Sequence, residues 1–249
     1  MALVKTQQEI ELIKKSCQIL AEVKKVIYDL IRPGVSLKEL DSIAFKEIVK
    51  RGAKPAFKGY MGFPATICAS LNEELIHGIP NERVLKEDDL ISIDIGVIYK
   101  GYYSDSAFSK SLSPENEENA FLINVAKVAF EKGIKAIKKG ATIGDIGYAI
   151  GKYLDSQKVF TPREYSGHGI GSALHESPYV FNRAPRGSGM KIRNNMVICI
   201  EPMILQKSPQ VYTKEDNWTV VAKSGLKSSH YEHTVLIQDW KAIVLTKEI

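Results

Sequence analysis

Apolar and polar positions alternate most regularly between Leu90 and Phe108. Every second residue from Ile91 to Val97 is isoleucine or valine, which is the period of a β-strand with one buried face. A second β-rich run follows Gly101, so the pattern predicts a hairpin. We expect a type I turn with Tyr99 and Lys100 at its centre and Gly101 in the left-handed conformation.

The predicted hairpin carries two acidic residues, Asp94 and Asp105. In the predicted register they lie opposite each other, give or take a bulge, with both side chains on one face. Two facing carboxylates repel each other, and a divalent cation between them removes the repulsion. The alternative is that Asp105 caps a turn and Asp94 is exposed at an edge.

Four segments have the apolar spacing of helices, two of them before the hairpin. A capping box of Thr6 and Glu9 predicts the start of the first helix, and Arg32-Pro33-Gly34 ends it. Ser36 and Glu39 predict a second capping box and with it a second helix.

The helical pattern begins again after the hairpin. Ser113 is the predicted N-cap of a long third helix, with Pro114 at the first helical position. We expect this helix to stop at Gly140 and Thr142 to cap a shorter fourth helix.

Several features recur in the same order at a separation of 106 or 107 residues. The matched pairs are Gly34 and Gly140, Ser36 and Thr142, and Asp94 and Glu201. The recurrence predicts a duplicated helix–helix–strand unit, in which HYEHTVLI, with Glu232, is the return strand of a second hairpin. We therefore expect one α/β (α+β) domain over residues 1–249, with halves of roughly 1–112 and 113–249.

Halves that pack face to face bring the acidic residues of both hairpins to one centre. These are Asp94, Asp105, Glu201 and Glu232. His168 lies between two glycines, which leave its imidazole open. Four carboxylates and one imidazole suit two adjacent divalent ions such as Mn, Fe, Co or Zn. The sequence contains no GxSxG or P-loop motif for a rival chemistry.

Composition narrows the class of protein. The net charge of +5 comes from scattered lysines, so a nucleic-acid partner is not expected. The three cysteines are far apart and form no CxxC motif, which favours a reducing compartment. The sequence has neither a run of transmembrane length nor the apolar region of a signal peptide. We therefore expect a cytoplasmic protein without a membrane partner.

Five segments, in this order and spacing, resemble those of the type I methionine aminopeptidases. They are IDIGVIYKGYYSDSA, SGHGIGSALHE, ICIEPM, DNWTV and YEHTVL. The resemblance covers nearly the whole chain and implies a pita-bread fold, in which two pseudo-symmetric halves form antiparallel sheet backed by helices. It also implies a metal-dependent hydrolase that removes the N-terminal methionine from nascent polypeptides when the second residue is small.

The resemblance implies a dinuclear centre with ions of Co, Mn, Fe or Zn. Asp94 would bind one ion, and Asp105 and Glu232 would bridge both. His168 and Glu201 would complete the second site, and Glu201 would also transfer a proton.

The resemblance also implies how substrate is held. His175 would contact the substrate near the scissile bond, and His77 would lie near its amine and peptide group. The residues that would line the pocket for the methionine side chain are Tyr60, Phe63, Cys68 and Trp218. An apolar pocket with sulfur contacts suits a thioether.

Three departures from the family pattern leave points open. Phe57 and Leu174 stand at pocket-lining positions where other members often carry different residues, which leaves the shape of the pocket open. Asn194-Asn195-Met196 replaces the usual Pro-Gly-Met, which leaves that turn open.

The alternative functions are a non-catalytic pita-bread binding homologue and another metal-dependent aminopeptidase. A binding homologue is expected to have lost metal ligands, and the sequence lacks none of them. The proline-specific peptidases and metal-free amidinohydrolases of this fold usually carry a large extra N-terminal domain, whereas this chain has the length of the short bacterial form.

Further expectations concern partners and processing. We expect a monomer, and the sequence leaves open a transient ribosome contact and a monovalent cation near Asn72 and Ser228. Because Ala2 is small, the protein should also remove its own Met1.

Overall fold

The helices fall into two pairs along the chain. They are α1 (Gln7–Leu30), α2 (Leu37–Lys50), α3 (Glu117–Lys135) and α4 (Ile143–Ser156), with a 3-10 turn at Tyr60–Gly62. This computed structural model describes residues 3–247. Met1 and Ala2, to which the self-cleavage prediction refers, lie outside the described residues. No helix within residues 3–247 is long and apolar enough to cross a membrane.

The strands pair antiparallel throughout. They are β1 (Lys54–Pro55), β2 (Ile67–Leu71), β3 (Glu74–Ile76), β4 (Leu90–Tyr99), β5 (Tyr102–Ser111), β6 (Gly167–Gly169), β7 (Glu176–Val180), β8 (Val197–Ile200), β9 (Met203–Ile204), β10 (Val211–Thr213), β11 (Val220–Ala222), β12 (Ser229–His230), β13 (His233–Gln238) and β14 (Lys241–Val244). In the first half β4 pairs with β5, β1 and β2. In the second, five strands follow the order β14-β13-β8-β6-β7.

The β4–β5 hairpin forms where the alternation predicts it, but with a tighter turn. Tyr99 pairs with Tyr102, which leaves Lys100 and Gly101 as a two-residue loop. Their φ angles are 48° and 85°, as a type I′ turn requires. The predicted type I turn is wrong, because Lys100 as well as Gly101 takes the left-handed conformation, which gives a two-residue turn whose twist matches that of the strands.

The tighter turn changes the register of the two acidic residues. Asp94 lies opposite Ala107, and Asp105 lies opposite Gly96. The predicted direct pairing is therefore wrong. Both carboxylates still share one face, as diagonal neighbours, because residues two apart on a strand point the same way.

The helix starts follow the predicted caps in the first half. The amide of Thr6 donates to Glu9 Oε2 at 2.8 Å, and that of Glu9 donates to Thr6 Oγ1 at 3.3 Å. Ser36 Oγ accepts from the amide of Glu39 at 3.1 Å, without a reciprocal bond among the described residues.

The third helix departs from the prediction at both ends. Its N-cap is Asn116, whose Oδ1 accepts from the amide of Asn119 at 2.9 Å. Ser113 instead joins a preceding turn in which the Ser111 hydroxyl donates to its carbonyl at 2.6 Å. The helix ends at Lys135, before Gly140, and α4 then follows Thr142 as predicted.

Matching backbone contacts recur in the two halves. Ser36 forms an isolated bridge with Val84, and Thr142 forms one with Lys191. The amide of the next residue in each half, Leu37 or Ile143, also donates to a carbonyl one residue before that partner, at 3.0 and 2.9 Å. The second helix of each half therefore begins against equivalent backbone. The division of the domain near residue 112 remains a prediction.

The two halves meet along their return strands. The amide of Glu232 donates to the carbonyl of Ala107 at 2.9 Å, and the Thr234 hydroxyl donates to the carbonyl of Asp105 at 2.8 Å. A separate buried cluster unites α1 with β8 and β13 through Ile13, Cys17, Val197, Cys199 and Leu236. Asp105 and Glu232 lie along the contact between the return strands.

Candidate active site

The residues predicted from the sequence to bind metal or substrate all line one cavity of about 310 Å³. They are Tyr60, Phe63, Cys68, His77, Asp94, Asp105, His168, His175, Glu201, Trp218 and Glu232. Both halves contribute, so the cavity exists only where the halves meet.

Four acidic side chains converge at the bottom of this cavity. Oxygens of Asp94, Asp105 and Glu232 lie within 4.8 Å of one another. His168 Nε2 lies 3.9 Å from Asp105 Oδ2, 3.8 Å from Glu201 Oε1 and 4.0 Å from Glu232 Oε1. These separations exceed hydrogen-bond length. They suit atoms that share an ion with bonds of about 2 Å to each.

Three carboxylate oxygens at this centre lack a hydrogen-bond partner although they are buried: Asp94 Oδ1, Asp105 Oδ1 and Glu232 Oε1. Buried polar atoms are nearly always paired, so each needs a ligand. Oxygen and imidazole donors are the ligands that Mn, Fe, Co and Zn accept. The residues present therefore fit a divalent metal centre.

The protein environment opposes ionisation of these carboxyl groups. Burial raises the pKa of Asp105 and of Glu232 well above the ordinary range, and the charges of neighbouring carboxylates raise both further. Burial and the charge of Asp94 likewise raise the pKa of Glu201 well above its ordinary value. A bound cation reverses this effect, because its charge stabilises the carboxylates.

His168 is in the neutral protonation state that a metal ligand needs. Its Nδ1 lies 3.0 Å from the carbonyl oxygen of Gly169, which can only accept. The proton is therefore on Nδ1, and Nε2 presents its lone pair to the acidic residues. Burial lowers the pKa of His168 to about 3, so the ring is neutral near pH 7.

His175 lies on the exposed side of the cavity, with its ring centroid 4.4 Å from that of His168. Its Nδ1 is 2.8 Å from the hydroxyl of Tyr60. Burial raises the pKa of Tyr60, so this hydroxyl keeps its proton at neutral pH. The Tyr60 hydroxyl can therefore donate to Nδ1 of His175, which leaves the imidazole proton on Nε2.

A row of aromatic rings runs along one wall of the cavity. The ring centroids of Phe63 and Trp218 are 5.1 Å apart, those of Trp218 and His77 6.4 Å, and those of His77 and Tyr165 5.8 Å. His77 has a positive φ of 58°, unusual for a residue with a side chain. Burial lowers its pKa to about 4, so it is neutral at pH 7.

The departures from the family pattern are accommodated locally. Phe57 packs over Gly96, where an added Cβ would lie 2.5 Å from the ring. Together with buried Leu174 it keeps the pocket wall apolar. Asn195 takes the left-handed conformation, with φ of 64°, that the glycine of the usual motif would adopt.

Sequence reasoning missed several residues at the site, among them His230 and Tyr165. His230 is 3% exposed, and its Nε2 lies 3.5 Å from Glu201 Oε2 without a hydrogen bond. His230 precedes Glu232 by two positions in an extended segment. This spacing could have predicted that both side chains lie on the same side of the backbone. Tyr165 lines the cavity from a loop, where no periodicity marks it.

The residues suggested for a monovalent cation do lie together. The amide and the hydroxyl of Ser228 both donate to the carbonyl of Asn72, at 2.9 and 3.1 Å.

Cys199, which the sequence did not suggest as a ligand, approaches His168 and Glu232 within 4.8 Å. Burial raises the pKa of its thiol well above the ordinary value, so the thiol stays protonated and packs in the core.

Comparisons with known proteins show the family to which the chain belongs. The family model for metallopeptidase family M24 matches residues 11–239. Methionine aminopeptidase 1 of Bacillus subtilis is 41% identical over 247 residues, which span 99% of this chain and 100% of that protein.

Solved structures of other proteins have the same fold as this chain. A methionine aminopeptidase from Thermotoga maritima superposes with a TM-score of 0.96 at 37% identity and covers 100% of both chains. The prolidase from Pyrococcus furiosus, at 24% identity, shares the fold with a TM-score of 0.80 over 99% of this chain and 66% of its own. The predicted pita-bread fold and the resemblance to methionine aminopeptidases are confirmed, and the chain belongs to metallopeptidase family M24.

Proposed function

We propose that this protein is a methionyl aminopeptidase that removes the N-terminal methionine from nascent polypeptides whose second residue is small. The observation that carries the proposal is one cavity in which unpaired buried carboxylates lie beside an apolar aromatic wall. Such a site supports a hydrolytic centre beside a pocket suited to a thioether.

Two divalent ions, drawn from Co, Mn, Fe and Zn, would be held by Asp94, Asp105, His168, Glu201 and Glu232. When bound, such a pair activates a water for attack and stabilises the negative charge of the transition state. Asp105, on β5, and Glu232, directly before β13, would contribute to holding both ions.

The chain's own residues then position substrate and protons. Phe63, Cys68 and Trp218 hold the methionine side chain, and His77 faces the substrate amine and peptide group. Tyr60 holds His175 in the form that donates from Nε2 to the scissile carbonyl. Glu201 takes the proton of the attacking water and delivers it to the leaving amine.

Partners and setting belong to the same proposal. The protein would act as a cytoplasmic monomer on nascent chains, with a transient ribosome contact. A monovalent cation would bind near the Asn72 carbonyl and Ser228.

Cleavage of defined peptides by the metal-loaded protein tests the activity. Met-Ala and Met-Gly peptides should be cleaved readily, and Met-Lys and Met-Leu peptides hardly at all, because the cavity leaves little room beyond the scissile bond. Equal cleavage of all four would favour a general aminopeptidase. Cleavage of none would favour the non-catalytic alternative.

The metal bridge is tested by Asp105→Ala and Glu232→Ala. Each should abolish turnover of Met-Ala-Ser and sharply weaken metal binding, whereas the surface variant Asp29→Ala should change neither. Near-normal activity of either bridge variant would contradict the dinuclear assignment.

A further inference from the structure

Lys24 is a buried lysine that takes no part in the proposed reaction. It lies on α1 and is 2% exposed, although a lysine is seldom fully buried. It lines a cavity bounded by α1, α3 and β13. Glu232 lines the active-site cavity and the next residue, His233, lines this one, so the two cavities lie on opposite faces of the chain there. Lys24 therefore approaches the proposed metal ligands from behind.

One path of hydrogen bonds leads from Lys24 to Glu232 through a serine. Lys24 Nζ donates to Ser106 Oγ at 3.2 Å. Because an ammonium group can only donate, the proton of the serine hydroxyl remains available for another acceptor. The Ser106 hydroxyl donates to the carbonyl of Glu232 at 2.8 Å, and a longer contact of 3.5 Å joins it to Nδ1 of His233. The path therefore runs from α1 to the backbone of a proposed metal ligand.

A second path leads from Lys24 to the two residues after Glu232. Lys24 Nζ donates to the carbonyl of Thr246 at 2.9 Å. The hydroxyl oxygen of Thr246 lies 2.8 Å from His233 Nδ1 and accepts from the amide of Thr234 at 3.2 Å. All of these residues are buried. Both paths therefore end on the same three consecutive residues.

The same network reaches the return strand of the first half. Thr234 Oγ1 accepts from the amide of Asp105 at 3.0 Å and donates to the carbonyl of Asp105 at 2.8 Å. One ammonium group is thus tied to the backbone of two proposed metal ligands, Asp105 and Glu232. Burial and neighbouring carboxylates raise the pKa of Glu232, and the charge of Lys24 opposes that rise, which agrees with an ammonium group near this carboxylate.

We propose that Lys24 is a positioning residue of the metal centre, which holds the backbone of Glu232 and Asp105 from behind so that their carboxylates point into the active-site cavity. The inference rests on the proposed metal centre and aminopeptidase function. Groups that orient metal ligands by hydrogen bonds typically cost about 10–100-fold in metal affinity or activity when they are removed. Because Lys24 acts through the backbone, we expect the lower end of that range.

Lys24→Met tests this role in the full chain, since it removes the ammonium group and keeps a side chain of similar length. The Kd for Mn²⁺, measured by isothermal titration calorimetry, should rise about tenfold. At saturating Mn²⁺, kcat on Met-Ala-Ser should fall about tenfold and KM should stay within about twofold, because Phe63 and Trp218 lie on the separate aromatic wall. The matched control is Lys25→Met, at the next residue of α1, whose side chain is 62% exposed. It should change none of these values.

Ser106→Ala separates positioning from charge, because it breaks the first path and keeps the ammonium group of Lys24. It should raise the Kd for Mn²⁺ by about threefold to tenfold, the scale of one hydrogen bond. The double variant Lys24→Met/Ser106→Ala should bind Mn²⁺ within about twofold of Lys24→Met alone. Without the ammonium group, the serine proton is no longer directed at the Glu232 carbonyl, so its removal should add little.

A Kd for Mn²⁺ in Lys24→Met that stays near the wild-type value would overturn the proposal even if the melting temperature falls, because the lysine would then act only on folding. Tighter Mn²⁺ binding by Lys24→Met, or wild-type binding by Ser106→Ala, would overturn it as well, because only the charge would then matter. Multiplied effects in the double variant would show two independent contributions and would also overturn it.

Should Lys24→Met fail to fold, Lys24→Gln, which also lacks the ammonium group, takes its place with the same expected values. Wild-type protein that binds Mn²⁺ but cleaves no peptide would overturn the aminopeptidase function, and the Kd values would still decide the role of Lys24. Wild-type protein without measurable Mn²⁺ binding would overturn both proposals.

Discussion

Single residues at this site take their chemistry from their surroundings. His168 and His175 have adjacent rings, but one is buried with its Nδ1 bonded to a carbonyl and the other is exposed with its Nδ1 bonded to a hydroxyl. The first can therefore act as a metal ligand and the second as a hydrogen-bond donor to substrate.

We predict that replacing His168 and replacing His175 have different effects on metal content. His168→Ala should lower the bound metal, because a ligand is lost. His175→Ala should keep the metal but lower kcat/KM on Met-Ala-Ser by about 10²-fold or more, as loss of a transition-state hydrogen bond does. Elemental analysis after dialysis, paired with peptide kinetics, measures both. Loss of metal from His175→Ala would mean that the roles are reversed.

We predict that the metal-free protein loses stability as pH rises. In the folded state the pKa values of Asp105, Glu201 and Glu232 are raised. The folded state therefore binds more protons than the unfolded state above the ordinary carboxyl range, and its free energy of unfolding falls as pH rises through the raised values. Asp105→Asn removes one of these charges, so its metal-free form should melt above metal-free wild type at about pH 8 and approach it at about pH 5.

The control for this pH prediction is Asp29→Asn, at a surface carboxylate whose side chain is 58% exposed. It should show no pH-dependent difference from wild type. A metal-free Asp105→Asn protein that melts below wild type at the higher pH would contradict the proposed repulsion.

At the scale of elements, a buried ion pair fastens the N-terminal segment to the loop that carries His175. Lys5 Nζ pairs with Glu176, and both side chains are 3% exposed. Glu176 Oε1 also accepts from the amide of Ala173 at 3.1 Å, and the amide of Lys5 donates to Asn195 at 2.8 Å. The segment before α1 therefore braces one wall of the cavity.

We predict that Lys5→Met lowers the free energy of unfolding by about 3 kcal/mol, because it leaves the Glu176 carboxylate buried without a cationic partner. The matched control is Lys14→Met, whose ion pair with Glu11 has side chains that are 39% and 58% exposed. It should cost less than about 1 kcal/mol. Urea unfolding of the two variants measures the difference, and equal losses would argue against the bracing role of the buried pair.

At the scale of the molecule, the proposed metal ligands belong to both halves. Asp94 and Asp105 come from the first, and His168, Glu201 and Glu232 come from the second. One buried apolar cluster lies within the first half and another lies almost wholly within the second, and the separate cluster of α1, β8 and β13 joins them. The joining cluster couples the halves, and a metal held by these residues would couple them further.

We predict that the protein unfolds in one transition and that metal raises its melting temperature. At a free metal concentration about 100 times the Kd, binding adds about 2.7 kcal/mol, or about 5–10 °C for a chain of this size. Differential scanning calorimetry with and without Mn²⁺ measures the shift, and Asp105→Ala should lack it. Two separated transitions in wild type would contradict the coupling of the halves.

Sequence patterns were most informative where one local rule decides the outcome. The alternation in β4, the caps at Thr6 and Thr142 and the helix–helix order all follow from residue period and hydrogen-bonding side chains. They were least informative at Ser113 and Lys100, where two local solutions compete. There the strand twist selects a type I′ turn and the Ser111–Ser113 turn moves the cap to Asn116.

By itself the sequence determined the repeated order of elements, the types of ligand and their motifs, because these are properties of short stretches. Only the tertiary structure decided that Asp105 and Asp94 are diagonal, because strand twist selects the tighter turn between β4 and β5, and that His230 approaches Glu201, because β12 pairs with β9, which follows Glu201. The first fact depends on the twist of paired strands and the second on which strands pair. No pattern within one short stretch of sequence encodes either.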